Sequence, residues 1–215
     1  MTDPLALDDT AVRWSAPEAE RAGRPLLVLL HGLGADENDL MGLAPALPPE
    51  FVLAAVRAPL RWVPGRAWFE PDWSRPLEES VAPAGRAADA LANWVAAHRA
   101  GHPAVGLLGF SQGAMISALA LRRHPELADF AVLLSGGLFP RDEAGDGQLA
   151  ARRTPVFLGY GEADPVVPAA MFVLSAAKLP TLAAAEVHAY PGLAHGISER
   201  ELHDVAAFLA ARLPG

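Results

Sequence analysis

The chain alternates between short, fully apolar runs and longer amphipathic stretches, and this alternation predicts its fold. Six apolar runs have the length of strands, and they cover residues 25–30, 51–56, 104–110, 130–134, 155–160 and 185–190. Near-continuous apolar strands are typical of a parallel sheet that is covered by helices on both faces. The pattern therefore favours an α/β protein with a mostly parallel central sheet.

Stretches with helical periodicity separate these apolar runs. Three of them cover residues 87–99, 112–123 and 171–178. A fourth begins after Ser198, where Ser198 and Glu201 have the spacing of a capping box and the following apolar residues recur on one helical face. Because strands and helices alternate along the whole chain, we expect an open α/β sheet within a single domain over residues 1–215.

One segment, residues 58–83, breaks this alternation. It contains five prolines together with the aromatic residues Trp62, Trp68, Phe69 and Trp73, and it is predicted to form a long loop. Loops of this length are uncommon in compact domains and often carry function. The aromatic side chains could form an acyl-pocket wall or a lid, or they could pack the loop against the core. The sequence leaves both interpretations open.

Composition narrows the function classes. The net charge is −8 and no basic run is present, so nothing favours binding to nucleic acid or to an anionic membrane surface. The absence of cysteine excludes disulfides, thiol nucleophiles and cysteine-bound metals. No apolar run reaches the roughly 18 residues of a membrane span, and the N-terminus does not resemble a signal peptide. We therefore expect a cytoplasmic protein without stable membrane insertion, either a monomer or a homodimer.

The candidate chemistry begins at residues 109–113, which read GFSQG. A serine between two glycines, after an apolar strand and before a helix, is typical of a nucleophile elbow, in which a tight turn presents the hydroxyl at the end of the sheet. Ser111 is therefore the candidate nucleophile. The alternative is that Ser111 simply caps the following helix, a position that serine also favours.

Partners for such a serine follow in the order serine, acid, histidine that α/β-hydrolases use. Asp164 comes just after the apolar run 155–160, and His195 lies in a glycine-flanked loop after the run 185–190. Both positions follow the carboxyl end of a strand, where open α/β sheets place their sites. His195 would act as the base and Asp164 would orient it. Glu162 remains a rival for the acid, because sequence does not fix the geometry of the turn.

A second glycine-rich turn, HGLG at residues 31–34, follows the first long strand. In this architecture the corresponding loop supplies one backbone N–H of the oxyanion hole, and the residue after the nucleophile supplies the other. The backbone N–H groups of Leu33 and Gln112 are therefore the candidate donors. The simpler alternative is a glycine turn that only leads into a helix. Dinucleotide, P-loop and zinc-helix motifs are absent, so no cofactor or metal is expected.

Taken in order, the segments LLHGLGADENDL, APLRWVPGRAWFE, LLGFSQGAM, LLSGGLFP, GEADPVVP and GLAHGIS resemble the phospholipase/carboxylesterase family of α/β-hydrolases. The family includes acyl-protein thioesterases, lysophospholipases and small bacterial carboxylesterases. The resemblance runs from about residue 26 to 210. Ala114 departs from the second glycine that often follows GFSQG, and the stretch after Glu70 is unusually rich in proline and tryptophan.

The resemblance implies a sheet of about seven strands without a separate cap domain, with the triad and the oxyanion donors at the residues named above. It implies that the stretch around Trp68 and Phe69 borders the substrate groove. We expect a serine carboxylesterase that needs no cofactor and cleaves small-molecule esters, with thioesters and lysophospholipids as related substrates. Two alternatives remain, an acyltransferase with the same triad and a non-catalytic fold that binds a small ligand.

Overall fold

The computed structural model describes residues 5–71 and 81–213. Its main feature is a seven-stranded sheet. The strands of this sheet are β1 (Arg13–Trp14), β2 (Leu26–Leu30), β3 (Val52–Val56), β6 (Val105–Phe110), β7 (Phe130–Leu134), β8 (Pro155–Gly161) and β9 (Ala184–Tyr190). They lie side by side in the order β1-β3-β2-β6-β7-β8-β9. Strand β1 is antiparallel to β3, whereas all other neighbours run parallel. All six predicted strands are present, with bounds that shift by at most one residue.

Helices cover both faces of the sheet. The α-helices of the described residues are α1 (Val81–His98), α2 (Gln112–Arg123), α3 (Asp146–Arg152), α4 (Ala169–Leu182) and α5 (Glu199–Ala210). One apolar cluster joins helices α1 to α4 to one face, through side chains such as Val28 and Leu107. The opposite cluster includes Leu29 and Leu108, and there α5 and the 3-10 helix Leu40–Ala46 cover the sheet. The central strands are thus enclosed, as their apolar sequences predicted.

The structure also contains elements that the sequence pattern did not predict. Strand β1 has only two residues at the sheet edge, and α3 has only seven residues. Both are too short for a periodic signal to emerge. Two predicted helices extend beyond their predicted bounds: α1 begins at Val81 instead of residue 87, and α4 covers Ala169–Leu182 instead of 171–178.

The segment predicted as one long loop contains a small antiparallel hairpin. Its strands are β4 (Leu60–Trp62) and β5 (Gly65–Ala67), and the chain then becomes buried at Trp68 and Phe69. The prediction of a continuous loop over residues 58–83 is therefore wrong in its first part, and also at its end, because α1 begins at Val81. Trp73 and the other residues from 72 to 80 lie outside the described residues.

Helix α5 corrects the predicted capping box. The Ser198 side chain accepts a hydrogen bond from the N–H of Glu201, at 3.1 Å, as predicted. The reciprocal bond does not form, because the Glu201 carboxylate is fully buried and neither of its oxygens has a partner among the described residues. None of the helices in the described part of the chain is both long and apolar enough to cross a membrane.

Candidate active site

Ser111 lies on the sharp turn between β6 and α2. Its φ of 53° and ψ of −117° place it in a backbone region that residues other than glycine rarely adopt. Its side chain makes no capping hydrogen bond to the helix, so the interpretation of Ser111 as a simple N-cap is wrong. The strained turn instead leaves the hydroxyl at the carboxyl end of the sheet, as in a nucleophile elbow.

The two glycines that flank Ser111 are required by close backbone approach. A Cβ at Gly113 would lie 2.1 Å from the carbonyl oxygen of Leu30, and one at Gly109 would lie 2.4 Å from the carbonyl oxygen of Gly113. Either contact is far inside the normal van der Waals distance. The turn can therefore pack against strand β2 only because these side chains are missing.

Three side chains that are far apart in sequence meet at this turn. The Oγ of Ser111 lies 3.0 Å from Nε2 of His195, and Nδ1 of His195 lies 2.7 Å from Oδ2 of Asp164. The carboxylate is nearly inaccessible, at 1% exposure, whereas the imidazole remains 17% exposed. The geometry is that of a Ser-His-Asp triad, in which the buried acid fixes the imidazole and the imidazole faces the serine.

Asp164 is held in its charged form by several hydrogen bonds. Burial by itself would raise the pKa of this carboxyl group. Donors from His195 and from the backbone N–H groups of Val167 and Val166 outweigh that effect, and the pKa ends below its usual value. The rival acid, Glu162, is exposed and contributes only its backbone N–H, which donates to the carbonyl oxygen of Tyr190. The structure thus brings Asp164, and not Glu162, to the histidine.

The two candidate oxyanion donors lie on either side of the Ser111 turn. Gln112 is the first residue of α2, and Leu33 lies in the turn after β2. A Cβ at the neighbouring Gly32 would lie 3.4 Å from the Cβ of Ser111, so this turn approaches the serine directly. Within residues 5–71 and 81–213, neither the N–H of Leu33 nor that of Gln112 donates to a protein acceptor. Both N–H groups therefore remain available for a ligand.

Comparison with known proteins assigns the family. A family model described as Phospholipase/Carboxylesterase matches residues 15–213. The chain belongs to the phospholipase/carboxylesterase family. It is thereby a member of a family of carboxylic ester hydrolases with the α/β-hydrolase fold, and none of the described residues forms a separate cap domain.

Individual relatives agree with this membership. The carboxylesterase SOBER1 of Arabidopsis thaliana is 29% identical over 161 residues, which cover 70% of this chain and 69% of the relative. Acyl-protein thioesterase 1 of Gibberella zeae is 38% identical over 110 residues, 49% of this chain and 47% of that protein. Among solved structures, esterase PE8 superposes with a TM-score of 0.78 at 30% identity, over 94% of this chain and 99% of its own.

A further residue, Ser135, supports the histidine loop of this family member and was not anticipated from sequence. It follows β7 and has a φ of 48°, and its Oγ donates to the carbonyl oxygen of Gly196 at 3.2 Å. Its own N–H donates to the carbonyl oxygen of Gly159 in β8. A signal was present in the sequence, because a serine followed by two glycines directly after a strand resembles the other turns of the site.

The predicted groove aromatics occupy different environments. Trp62 is half-buried in β4, and its ring would be 4.0 Å from a Cβ placed on Gly34. Trp68 and Phe69 are buried, at 0% and 3% exposure, so they belong to the core in this conformation. Their role as groove walls stays a prediction. Across the described residues, no three histidine, aspartate or glutamate side chains cluster closely enough to hold a metal ion.

Proposed function

We propose that the chain is a serine carboxylesterase whose reacting groups are Ser111, His195 and Asp164. The observation that carries the proposal is the unbroken chain of hydrogen bonds from Asp164 through His195 to Ser111, at 2.7 and 3.0 Å. The backbone N–H groups of Leu33 and Gln112 provide the oxyanion hole. Family membership supports the general reaction class, and this geometry supports the specific residues.

The reaction proceeds through an acyl-enzyme. His195 Nε2 accepts the proton of the Ser111 hydroxyl while its oxygen attacks the carbonyl carbon of the ester. The carbonyl oxygen becomes an oxyanion that accepts hydrogen bonds from Leu33 and Gln112, and the helix α2 N-terminus adds favourable charge. The C–O bond to the leaving group then breaks, and His195 returns the proton to that alcohol. A water molecule, deprotonated by His195, then attacks the acyl carbon; the bond to the Ser111 oxygen breaks, His195 returns the proton to that oxygen, and the acid is released. Asp164 stabilises the imidazolium in both halves.

The proposed substrates are carboxylic esters, with thioesters as the next candidates. The named relatives include a carboxylesterase and an acyl-protein thioesterase, and both reactions pass through the same oxyanion. The apolar side chains of the loops around the site favour a short or medium acyl chain. A series of p-nitrophenyl esters of increasing length tests this preference, and equal kcat/KM across the series would contradict it.

The nucleophile itself is tested by a fluorophosphonate, which reacts covalently with activated serines. Intact-mass spectrometry of the treated wild type should show one adduct. The Ser111→Ala variant should show none and should lose hydrolysis of p-nitrophenyl butyrate, because Ser111 is the hydroxyl that His195 contacts among the described residues. As a matched control, Ser117→Ala removes another buried serine hydroxyl, which bonds only within α2, and should still be labelled. A folded wild type that takes no adduct would reject the proposal.

A further inference from the structure

We propose that Trp68 and the side chain of Gln112 are positioning residues that lock the two oxyanion donors at a fixed separation. The inference rests on the proposed function, because it concerns the hole formed by the N–H groups of Leu33 and Gln112. The side chains of Trp68 and Gln112 do not touch the reacting atoms and act only by holding the backbone donors in place. We call the set of hydrogen bonds joining His31, Trp68, Phe69 and Gln112 the oxyanion clamp.

The first arm of the clamp holds the residue after the nucleophile. The Gln112 side chain uses both ends of its amide: its Oε1 accepts from the backbone N–H of Trp68 at 2.7 Å, and its Nε2 donates to the carbonyl oxygen of Phe69 at 2.9 Å. Gln112 is only 5% exposed. The first residue of α2 is therefore tied to a segment that lies more than 40 positions earlier in the chain.

The second arm holds the other donor loop. The indole Nε1 of Trp68 donates to the carbonyl oxygen of His31 at 2.9 Å, two residues before Leu33. The His31 ring fixes the same position, since its Nε2 accepts from the N–H of Ala58 at 3.1 Å and its Nδ1 lies 2.8 Å from the carbonyl oxygen of Gly32. These partners require the neutral ring with the proton on Nδ1. Burial lowers the pKa of His31, which favours that neutral form.

The hairpin β4–β5 closes the clamp from the outer side of the loop. The N–H of Gly34 donates to the carbonyl oxygen of Arg66 at 2.8 Å, and the N–H of Arg66 donates to the carbonyl oxygen of Ala35 at 2.9 Å. A Cβ at Gly65 would lie 2.3 Å from the carbonyl oxygen of Gly34, so the two segments are in direct backbone contact. The N–H groups of Gly34 and Ala35 are thus already hydrogen-bonded within the protein, whereas the N–H of Leu33 has no acceptor among the described residues and can bind the substrate.

Burial makes these contacts effective as a positioning device. Trp68 is fully buried and Gln112 nearly so. A polar group that loses its partner at such a position cannot form a replacement hydrogen bond with water. The donors are therefore held before substrate arrives. Preorganised donors lower the energy of the transition state more than that of the bound ester, because full negative charge develops only in the transition state. Loosening the clamp should reduce kcat while KM stays nearly constant.

The test uses Trp68→Phe, which keeps a large aromatic ring but removes the indole donor, and Gln112→Met, which keeps the backbone N–H but removes both amide contacts. With p-nitrophenyl butyrate as probe, we expect kcat to fall about 10- to 100-fold in each variant, with KM within about twofold. A trifluoromethyl ketone, whose adduct with Ser111 places an oxyanion in the hole, should bind more weakly by a similar factor.

A matched control comes from the same chain. Trp94 in α1 is also buried, at 5% exposure, and its indole donates to Asp9, a residue outside the clamp. Trp94→Phe therefore makes the same chemical change without touching the clamp. Its kcat and its affinity for the ketone should match the wild type when all variants are assayed at one temperature that lies below the unfolding transition of each.

The possible outcomes separate the clamp from the proposed function. If the wild type reacts with a fluorophosphonate but Trp68→Phe and Gln112→Met behave like Trp94→Phe, the clamp is rejected while the triad stands. If both variants lose kcat and ketone affinity together, the clamp is supported. If one variant does not fold, the other decides. A wild type that takes no adduct rejects the proposed function first, and the clamp with it.

Discussion

Two histidines in glycine-flanked loops, His31 and His195, lie at the same end of the sheet but have opposite environments. His31 is 2% exposed, and both of its ring nitrogens are bound to backbone groups. The side chain of His195 is 17% exposed, with one nitrogen on Asp164 and the other on Ser111. His31 therefore has no nitrogen left for chemistry, whereas His195 points one nitrogen at a group that can react.

Two histidines in similar loops can therefore have different roles: His31 holds backbone groups in place, whereas His195 contacts a side chain that can react. His31 is buried and kept neutral, so it cannot gain a proton without losing the hydrogen bond from Ala58. His195 can accept a proton, because the nearby Asp164 carboxylate stabilises the imidazolium that results. Exposure and the identity of the partners separate the two roles.

The strongest test of this contrast replaces each histidine by alanine. His195→Ala should lower kcat for p-nitrophenyl butyrate by roughly 10⁵- to 10⁶-fold and leave the free energy of unfolding almost unchanged. His31→Ala should mainly affect stability: about 2–4 kcal/mol is lost through the cavity and the unpaired backbone groups, while kcat falls only about 10- to 100-fold because the oxyanion clamp loosens. Steady-state kinetics and urea unfolding of both variants measure the two effects. If the two variants lost kcat and unfolding free energy to similar extents, the proposed difference in role between His31 and His195 would be rejected.

The acid that serves His195 gives the next largest effect. Asp164→Asn keeps the shape of the side chain but removes the charge that stabilises the imidazolium, so kcat should fall by about 10⁴-fold. Glu162→Gln is the matched control, because Glu162 lies on the same turn but is exposed. Its kcat should stay within about twofold of the wild type. A larger loss in Glu162→Gln than in Asp164→Asn would transfer the role of the acid to Glu162.

Sequence reasoning was most successful where the signal is local. Ser111, Asp164 and His195 each lie within five residues after the end of an apolar strand, and parallel strands end at the same edge of a sheet, so their meeting could be predicted. The choice between Asp164 and Glu162 could not, because it depends on which way a turn of a few residues points its side chains. That choice became clear only from the 2.7 Å contact between Asp164 and His195.

Sequence reasoning failed where a contact joins distant segments. The amide of Gln112 bonds to backbone groups of Trp68 and Phe69, and nothing in the GFSQG pattern specifies a partner in another loop. The aromatic residues near position 68 were equally consistent with a groove wall and with core packing. The Trp68 indole is completely buried and its N–H donates to His31, a packing contact that periodicity in a proline-rich segment does not reveal.

The two histidine loops also differ in whether the polar groups next to them have hydrogen-bond partners. Around His31 every polar atom of the ring has a partner. The loop that carries His195 instead runs into α5, whose first turn buries the carboxylate of Glu201 against Gly159. Neither oxygen of this carboxylate has a hydrogen-bond partner in the described part of the chain. Burial raises the pKa of Glu201 to about 7, and the nearby Asp204 carboxylate acts in the same direction.

Because Glu201 is a buried acid, we expect the free energy of unfolding to depend on pH. The pKa of Glu201 is near 4.5 when the chain is unfolded and about 7 when it is folded, so the folded state holds the proton more tightly. The contribution of this tighter proton binding to the free energy of unfolding is fully present below pH 4.5. It is lost as pH rises through 7, which lowers the free energy of unfolding by about 3 kcal/mol. Glu201→Gln cannot ionise, so its stability should lie within about 1 kcal/mol of the wild type at pH 5 and exceed it by about 3 kcal/mol at pH 8.

Urea unfolding of the wild type and of Glu201→Gln at both pH values measures the effect, and Glu199→Gln, an exposed glutamate of the same helical turn, is the control. All other titrating groups are shared by the variants, so their contributions cancel in the comparison. Glu199→Gln should not become more stable than the wild type at pH 8. A gain in Glu201→Gln that is equal at pH 5 and pH 8 would mean that the carboxylate under the His195 loop finds a partner after all, and the contrast with the fully paired His31 would disappear.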